Sequence, residues 1–257
     1  MENSNLRNAR KAKNDEFYTQ YEDIEKEMEH YKDQFKDKII YCNCDSKYSN
    51  FVKYFKDNYE ELGLKGLNYT GIPIDFRSDE AIIKLMDSDI IVTNPPFSLF
   101  REFIDIINSY NKEFLIIGNM NAITYKETFK LIKDNKVWLG KTHPKTFIQP
   151  NGEPKKFGNI CWFTNLECEE NDFIELTKNY YKEVYENYDN YDAINIDNVK
   201  DIPYDYDKVM GVPITFLTNY NPEQFEIIKF RKGDNEKDLC INGKCMYFRI
   251  LIKRINK

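Results

Sequence analysis

The chain has 257 residues, 41% of them hydrophobic and 15% aromatic, enough for a sizeable core in one large domain or a domain with a smaller lobe. With 31% charged residues and a mean hydropathy of -0.69, it offers no run of about 18 apolar residues, and its N-terminal stretch shows no apolar segment of a secretory signal. Membrane spanning and secretion are not expected, and a net charge of -6 argues against a chain that is basic throughout.

Residues 20–35 carry apolar side chains at Ile24, Met28, Tyr31 and Phe35, a spacing that predicts an amphipathic helix. KIIYCNCD (38–45) reads as a short strand ending at an acid, after which Ser46 offers a cap for a helix over 49–62. LKGLNYTG (64–71) and IPIDF (72–76) are strand candidates, and 78–86 is a helix. DIIVTNPPF (89–97) is a buried-type strand that two prolines must end. Then follow a helix at 100–110, a strand at 113–119, a helix at 122–134, and strands at 136–140 and 159–164. Strands alternating with helices of 10–15 residues predict a parallel α/β sheet covered on both faces.

The pattern changes after about 165. Residues 186–209 are acidic, irregular and rich in Tyr and Asn, whereas 210–217 and 239–254 return as β-rich segments. Asn242-Gly243 sits where a two-residue hairpin turn is expected, with Cys240 and Cys245 flanking it. The expected division is 1–165 as the main domain and 166–257 as a β-rich C-terminal extension. Charge is uneven along the chain: 1–14 is net +3, 166–208 is net -9 and 229–257 is net +6. A phosphate-binding surface can therefore be assembled locally despite the acidic total. The expected phosphate contacts are Lys229, Arg231, Lys232, Lys244, Arg249 and Arg254, with Lys155 and Lys156 as lesser candidates; strand alternation prevents all of them from facing one ligand.

The six cysteines lack the spacing of a disulfide framework and read as reduced thiols. No CxxC pair supports a zinc site, so no metal is expected. With His30 and His143 as the only histidines, acid–base chemistry on imidazole is not expected either.

The sharpest signal is Thr93-Asn94-Pro95-Pro96-Phe97 after an apolar strand. Ligands of open α/β sheets bind outside the carboxyl ends of strands, where Asn94 would be delivered. The Asn side-chain oxygen and the Pro95 carbonyl can together accept both protons of a planar amine, and Phe97 supplies a flat face for the ring that carries it. The plain alternative is a proline-rich turn.

Segments 75–103, 114–132, 159–166, 188–217 and 221–225 resemble adenine-specific DNA methyltransferases of the EcoRI methyltransferase type. The resemblance implies a Rossmann-like S-adenosylmethionine-dependent methyltransferase fold and methyl transfer to adenine N6 in duplex DNA. It implies that Asn94, Pro95, Pro96 and Phe97 form the catalytic tetrapeptide. The methionine part of the cofactor would meet Phe17, Tyr18 and Thr19 of DEFYT and also Asp45, which matches the acidic position of the first cofactor motif. Asp75 and Phe76 would meet the cofactor's adenine, and Trp162 and Phe163 the extruded base. One departure is plain: Cys42-Asn43-Cys44-Asp45-Ser46-Lys47 contains no glycine, and no acid is placed for the ribose. A cytoplasmic monomer acting on duplex DNA is the expected setting; whether a companion restriction nuclease accompanies it is not given by the sequence. Methylation of an RNA base or a protein glutamine, and a catalytically silent DNA-binding protein on the same fold, stand as alternatives.

Overall fold

The computed structural model describes residues 17–70, 75–246 and 248–255. Two compact units divide the chain: Met1–Thr128 with Val137–Cys168, and Phe129–Lys136 with Glu169–Lys257.

The first unit opens with a short strand β1 (Tyr18–Thr19) and a helix α1 (Tyr21–Met28). The expected helix over 20–35 stops early; a 3-10 turn at Lys32–Gln34 carries Tyr31 and Phe35 into the core instead. Strand β2 (Ile39–Cys42) leads to helix α2 (Asn50–Asp57). Ser49, not Ser46, caps that helix, accepting from the backbone N–H of Val52 at 3.2 Å. Ser46 lies too early and accepts from the Tyr48 N–H. Strand β3 (Gly66–Tyr69) and helix α3 (Asp79–Met86), capped by Ser78, come next; most of the strand expected at IPIDF lies outside the described residues. Strand β4 (Ile90–Thr93), helix α4 (Phe100–Ser109) and strand β5 (Glu113–Asn119) follow the expected pattern closely.

The helix expected over 122–134 is shorter. Residues 120–124 form a 3-10 turn, started by Asn119 accepting from the Asn121 N–H, and only α5 (Lys126–Lys133) is α-helical. Strand β6 (Trp138–Leu139) is followed by β7 (Thr146–Ile148), β8 (Pro154–Lys156) and β9 (Ile160–Thr164).

One six-stranded sheet has the order β3-β2-β4-β5-β9-β6. Strands β3, β2, β4 and β5 are parallel, and β9 runs antiparallel between β5 and β6. The sheet is therefore mixed rather than wholly parallel. Its central strands read as nearly unbroken apolar runs because both faces are covered. Alternation sorts them: Ile40, Cys42, Ile90, Val92, Leu115, Ile117, Ile160 and Trp162 share one core with α1 and α2. On the opposite face the Phe100 ring of α4 packs on Phe163 with centroids 5.0 Å apart. There Gly118 is required, because a Cβ would stand 2.4 Å from the Phe100 ring.

A second, three-stranded antiparallel sheet joins β1, β7 and β8. Its attachment relies on a buried carboxylate. Glu27 of α1 accepts from the Lys141 N–H at 2.9 Å, the Thr142 N–H at 2.7 Å, the Thr142 hydroxyl at 2.6 Å and the Tyr31 hydroxyl at 3.0 Å. Thr142 Oγ1 in turn accepts from the Trp162 indole N–H. The loop from β6 to β7 is thus held by one acid.

In the second unit, β10 (Ile194–Asn195), β11 (Met210–Pro213), β12 (Phe225–Phe230) and β15 (Arg249–Arg254) form a sheet of order β10-β11-β15-β12. A hairpin of β13 (Cys240–Ile241) and β14 (Lys244–Cys245) turns at Asn242 and Gly243, whose φ angles are 50° and 75°. Those positive values are the reason an Asn-Gly pair stands there. Among the described residues no helix is long and apolar enough to cross a membrane.

Removing the Glu27 carboxylate strands the buried Tyr31 hydroxyl and three half-buried donors of Lys141 and Thr142, each costing up to about 1–3 kcal/mol. Glu27→Ala is expected to lower unfolding free energy by more than about 3 kcal/mol in urea titrations. A loss below 1 kcal/mol would show that the loop is held by other contacts.

Candidate functional site

Strand order reverses between β2 and β4: β3 lies to one side of β2, while β4 and β5 lie to the other. Loops leaving such neighbouring strand ends diverge and open a crevice. Here those loops carry Asn43-Cys44-Asp45 and Asn94-Pro95-Pro96-Phe97.

The two loops are tied together. The Thr93 hydroxyl donates to Asp45 Oδ2 at 2.5 Å and accepts from the Cys44 N–H at 3.1 Å. Burial lifts the Asp45 carboxyl to about 6, against hydrogen bonds from Thr93, Ser49 and the Asn94 backbone that pull it down. Burial also raises the Cys42 and Cys44 thiols well above their ordinary range, which keeps both protonated.

After Thr93 the prolines end the strand. Pro95 has no N–H to continue a ladder, and Pro96 is extended at φ -55°, ψ 124° before a 3-10 turn runs into α4. The Asn94 amide is fixed by β1: its Nδ2 donates to the Phe17 carbonyl at 2.6 Å and approaches Thr19 Oγ1 at 3.4 Å. That pairing decides which end of the amide is nitrogen. The other end, Oδ1, is buried and has no hydrogen-bond partner among the described residues. Its strap is secured in turn, because Asn50 Nδ2 donates to the Thr19 carbonyl and Gln20 Nε2 to the Thr146 carbonyl.

Beside this amide stands a cluster of rings. Phe17 and Phe97 are near-parallel with centroids 6.1 Å apart, and Phe157 is edge-on to both, at 4.8 Å from Phe17 and 6.2 Å from Phe97. Lys155 Nζ lies over the faces of Phe17 and Phe157, 4.7 and 5.1 Å from their centroids.

The structure therefore brings together Asn94, Pro95, Pro96, Phe97, Phe17, Thr19, Asp45 and Lys155. Tyr18 is on the same strap and exposed. Trp162 and Phe163 are a correction: both are 0% exposed within β9, Trp162 in one core and Phe163 under Phe100, so neither offers a face to a ligand. Phe157, not singled out in the sequence, is a further ring near Phe97, besides Phe17. Only its place between Lys156 and the apolar β9 run signalled it. Asp75 is held by Arg77, which donates from its backbone N–H and Nε to Oδ1 and from Nη2 to Oδ2, and this lowers its carboxyl below the ordinary value. Phe76 is 5% exposed and packs on Phe103 at 5.1 Å. The Arg77 guanidinium lies over the Phe76 ring, 5.5 Å from the centroid.

The basic candidates separate as well. Arg231 and Lys232 both pair with Asp238, whose carboxyl they pull down to about 2. Lys229 lies over the Tyr191 ring at 4.5 Å and near Asp234. Arg249 donates to Asn195 and Asp197. These four charges are answered inside their own unit, and Arg254 is partly buried on β15. Lys155, Lys156 and Lys244 are exposed, and among the described residues they form no ion pair. Nor does any cluster of His, Cys, Asp and Glu among the described residues suit a metal ion.

Because its folded pKa is raised, Asp45 contributes stability that is complete below about 4 and is lost as pH rises through about 6. Asp45→Asn is therefore expected to be more stable than the wild type at pH 8, by at most about 3 kcal/mol, the equivalent of two pH units. The two proteins should converge near pH 4 in urea unfolding. A constant difference from pH 4 to 8 would show that this carboxylate is not desolvated.

A family model described as Adenine-specific methyltransferase EcoRI matches residues 5–74 and 70–255. Among curated proteins, the Type II methyltransferase M.EcoRI of Escherichia coli is 47% identical over 314 aligned residues, covering 98% of this chain and 96% of that protein. The Type II methyltransferase M.MpnI of Mycoplasma pneumoniae is 39% identical over 311 residues, covering 96% and 97%. That of Mycoplasma genitalium, M.MgeORF184P, is 37% identical over 312 residues with the same coverage. These aligned spans exceed the 257 residues of this chain, so the relatives carry residues with no counterpart here. The two stretches of the family match meet at 70–74, between β3 and Asp75. No solved structure matches. A match over nearly the whole chain, on residues that converge at one crevice, places this protein in the EcoRI family of adenine-specific methyltransferases.

Proposed function

We propose that the chain transfers a methyl group from S-adenosylmethionine to the N6 amine of an adenine flipped out of duplex DNA. The observation that carries this reading is the buried, unpartnered Oδ1 of Asn94. A buried acceptor without a partner costs about 1–3 kcal/mol, and such a cost is retained where a ligand supplies the missing donor. An exocyclic amine supplies two protons, one for Asn94 Oδ1 and one for the Pro95 carbonyl. Phe17 takes one face of Phe97, leaving the opposite face for the base, with Phe157 as a side wall. An adenine inside the duplex cannot reach this crevice, so it must be extruded at a cost of a few kcal/mol.

The sheet order, reversing between β2 and β4 and ending in an antiparallel β9, supports a Rossmann-like fold for the first unit, with the second as a C-terminal extension. The residues at the strand ends fit the cofactor in part. Asp45 offers a carboxylate for its cationic amino group, and Phe17, Tyr18 and Thr19 wall the methionine end. Asp75, with three of about four acceptor positions taken by Arg77, keeps one for the cofactor's exocyclic amine. The cofactor, when bound, supplies an electrophilic methyl group.

The chain's own task is orientation and electrostatics. The N6 lone pair is delocalised into the purine ring and is a poor nucleophile. Accepting both protons at Asn94 and Pro95 favours positive charge on nitrogen as the new N–C bond forms. As that bond forms the methyl–sulfur bond breaks, leaving a neutral thioether, and the methylated nitrogen then loses its extra proton to solvent water. The Asn94 and Pro95 oxygens orient the amine by hydrogen bonds but are too weakly basic to take that proton.

The test offers labelled cofactor with duplex DNA, RNA and a glutamine peptide, followed by nucleoside analysis. N6-methyladenine in duplex DNA is expected; label only in RNA or peptide, or on cytosine, would overturn the reading. Asn94→Ala should lower turnover by roughly 10²–10³-fold, by analogy with loss of one preorganised polar group at a reacting centre. Turnover within a few-fold of wild type would remove Asn94 from its role.

The DNA contacts draw on the cations left unanswered in each unit. Lys155→Ala, Lys156→Ala and Lys244→Ala should each flatten the salt dependence of DNA binding by about one unit where a phosphate contact is lost. Lys232→Ala should leave the slope unchanged. The reverse pattern would place the DNA on another surface.

A further inference from the structure

We infer that Cys240 and Cys245 form a dithiol–disulfide site in the second unit, oxidised by a low-molecular-weight disulfide such as glutathione disulfide. The two residues are direct cross-strand partners in the β13–β14 hairpin. The Asn242-Gly243 turn makes Ile241 and Lys244 the hydrogen-bonded pair that closes the loop, so the next pair outward is a non-hydrogen-bonded one. Backbone bonding agrees: the Cys240 N–H donates to Asn190 Oδ1 at 3.1 Å, and its carbonyl accepts from the Asp189 N–H at 2.8 Å. The pair beyond is joined again, with the Met246 N–H donating to the Leu239 carbonyl at 2.8 Å. Non-hydrogen-bonded partners have Cα atoms about 4.5 Å apart with side chains leaning together, within the 4.4–6.8 Å range that a disulfide spans.

The hairpin is also held still for the reaction. Asp189 accepts from the N–H groups of both turn residues, Asn242 at 3.1 Å and Gly243 at 2.7 Å. Asn190 Nδ2 donates to the Asp238 carbonyl at 2.9 Å. Both cysteines are free thiols, Cys245 exposed and Cys240 half-buried. The Cys240 thiol donates to the Asp238 carbonyl at 3.1 Å, and its interaction with Cys245 pushes it up to about 11. The other close pair in sequence, Cys42 and Cys44, has no exposed member: Cys42 is buried in β2 and Cys44 is half-buried just beyond it.

The exchange follows from access. The Cys245 thiolate, having lost its proton, attacks one sulfur of glutathione disulfide, forming a mixed disulfide and releasing one glutathione thiolate. Cys240 loses its proton and attacks the Cys245 sulfur, closing the Cys240–Cys245 bond and releasing the second glutathione. Two electrons pass to glutathione disulfide, and the two thiol protons are taken up by the two released glutathiones.

The test incubates the full chain in buffers of graded glutathione and glutathione disulfide, quenches in acid, alkylates and maps peptides by mass spectrometry. The expected product lacks two hydrogens, joins the Cys240 and Cys245 peptides, and reverts fully in excess glutathione. Cys245→Ser, a change at an exposed position, should abolish it and leave at most a glutathione adduct on Cys240. In a second measurement, phenylarsine oxide, which needs two adjacent thiols, should bind one per chain in the wild type and at least tenfold more weakly in Cys245→Ser. Accumulation of a stable Cys245 adduct with no internal bond, a bond through another cysteine, or equal arsenical binding by the variant would overturn the assignment.

Discussion

The methyl-transfer reading of this chain depends on one side-chain amide being held by its nitrogen. The Phe17 carbonyl takes Asn94 Nδ2 at 2.6 Å, so the amide cannot turn over without leaving that carbonyl unpaired. Its oxygen is therefore presented as an acceptor before any ligand arrives. Such preorganisation is what allows a polar group to favour a charged transition state without reorganising at the moment of reaction.

The strap that holds the amide is short, and its stability comes from elsewhere. Strand β1 has two residues and, among the described residues, pairs only with β7. The loop leading into β7 is gripped by the buried Glu27, and β1 is pinned again by Asn50. A carboxylate on the first helix thus bears on the geometry of an asparagine at the end of a central strand. Asp45 is the counterpart on the other loop. Its raised carboxyl is costly in the folded chain near neutral pH, and that cost is relieved when a cationic group arrives.

The central sheet was legible because its strands are continuous apolar runs between helices with a clear period, as at Ile90–Thr93 and Glu113–Asn119. The Asn94–Phe97 loop was legible for a chemical reason, since an asparagine oxygen and a proline carbonyl side by side after an apolar strand suit one planar amine. What escaped is instructive. β1, β7 and β8 have two or three residues in polar surroundings, too short for any period to register. Phe157 stands between a lysine pair and a strand, with no pattern to mark it. Trp162 and Phe163 were misplaced because aromatic residues in a strand look alike whether they face a ligand or the core. The basic C-terminal residues were overcounted, because a net charge does not show that Asp238 answers two of them. The segment before Asp75, where the family match divides, is also where the sequence supplied no acid for a ribose. The adenosine end of the proposed cofactor site is accordingly its least furnished part.

The most direct measurement is a double-mutant cycle across the proposed hydrogen bond, once sequencing of methylated DNA has given the recognition site. Wild type and Asn94→Ala would each be titrated, with S-adenosylhomocysteine present, against duplexes carrying adenine or purine at the target. Purine lacks only the amine. The easier flipping of an unpaired base affects both proteins alike and cancels in the cycle. A coupling of about 1–2 kcal/mol between Asn94 and the amine is the expected result, in the range of hydrogen-bonded partners. A coupling within about 0.3–0.5 kcal/mol of zero, the additivity found for groups that do not touch, would mean that Asn94 Oδ1 does not receive the target amine.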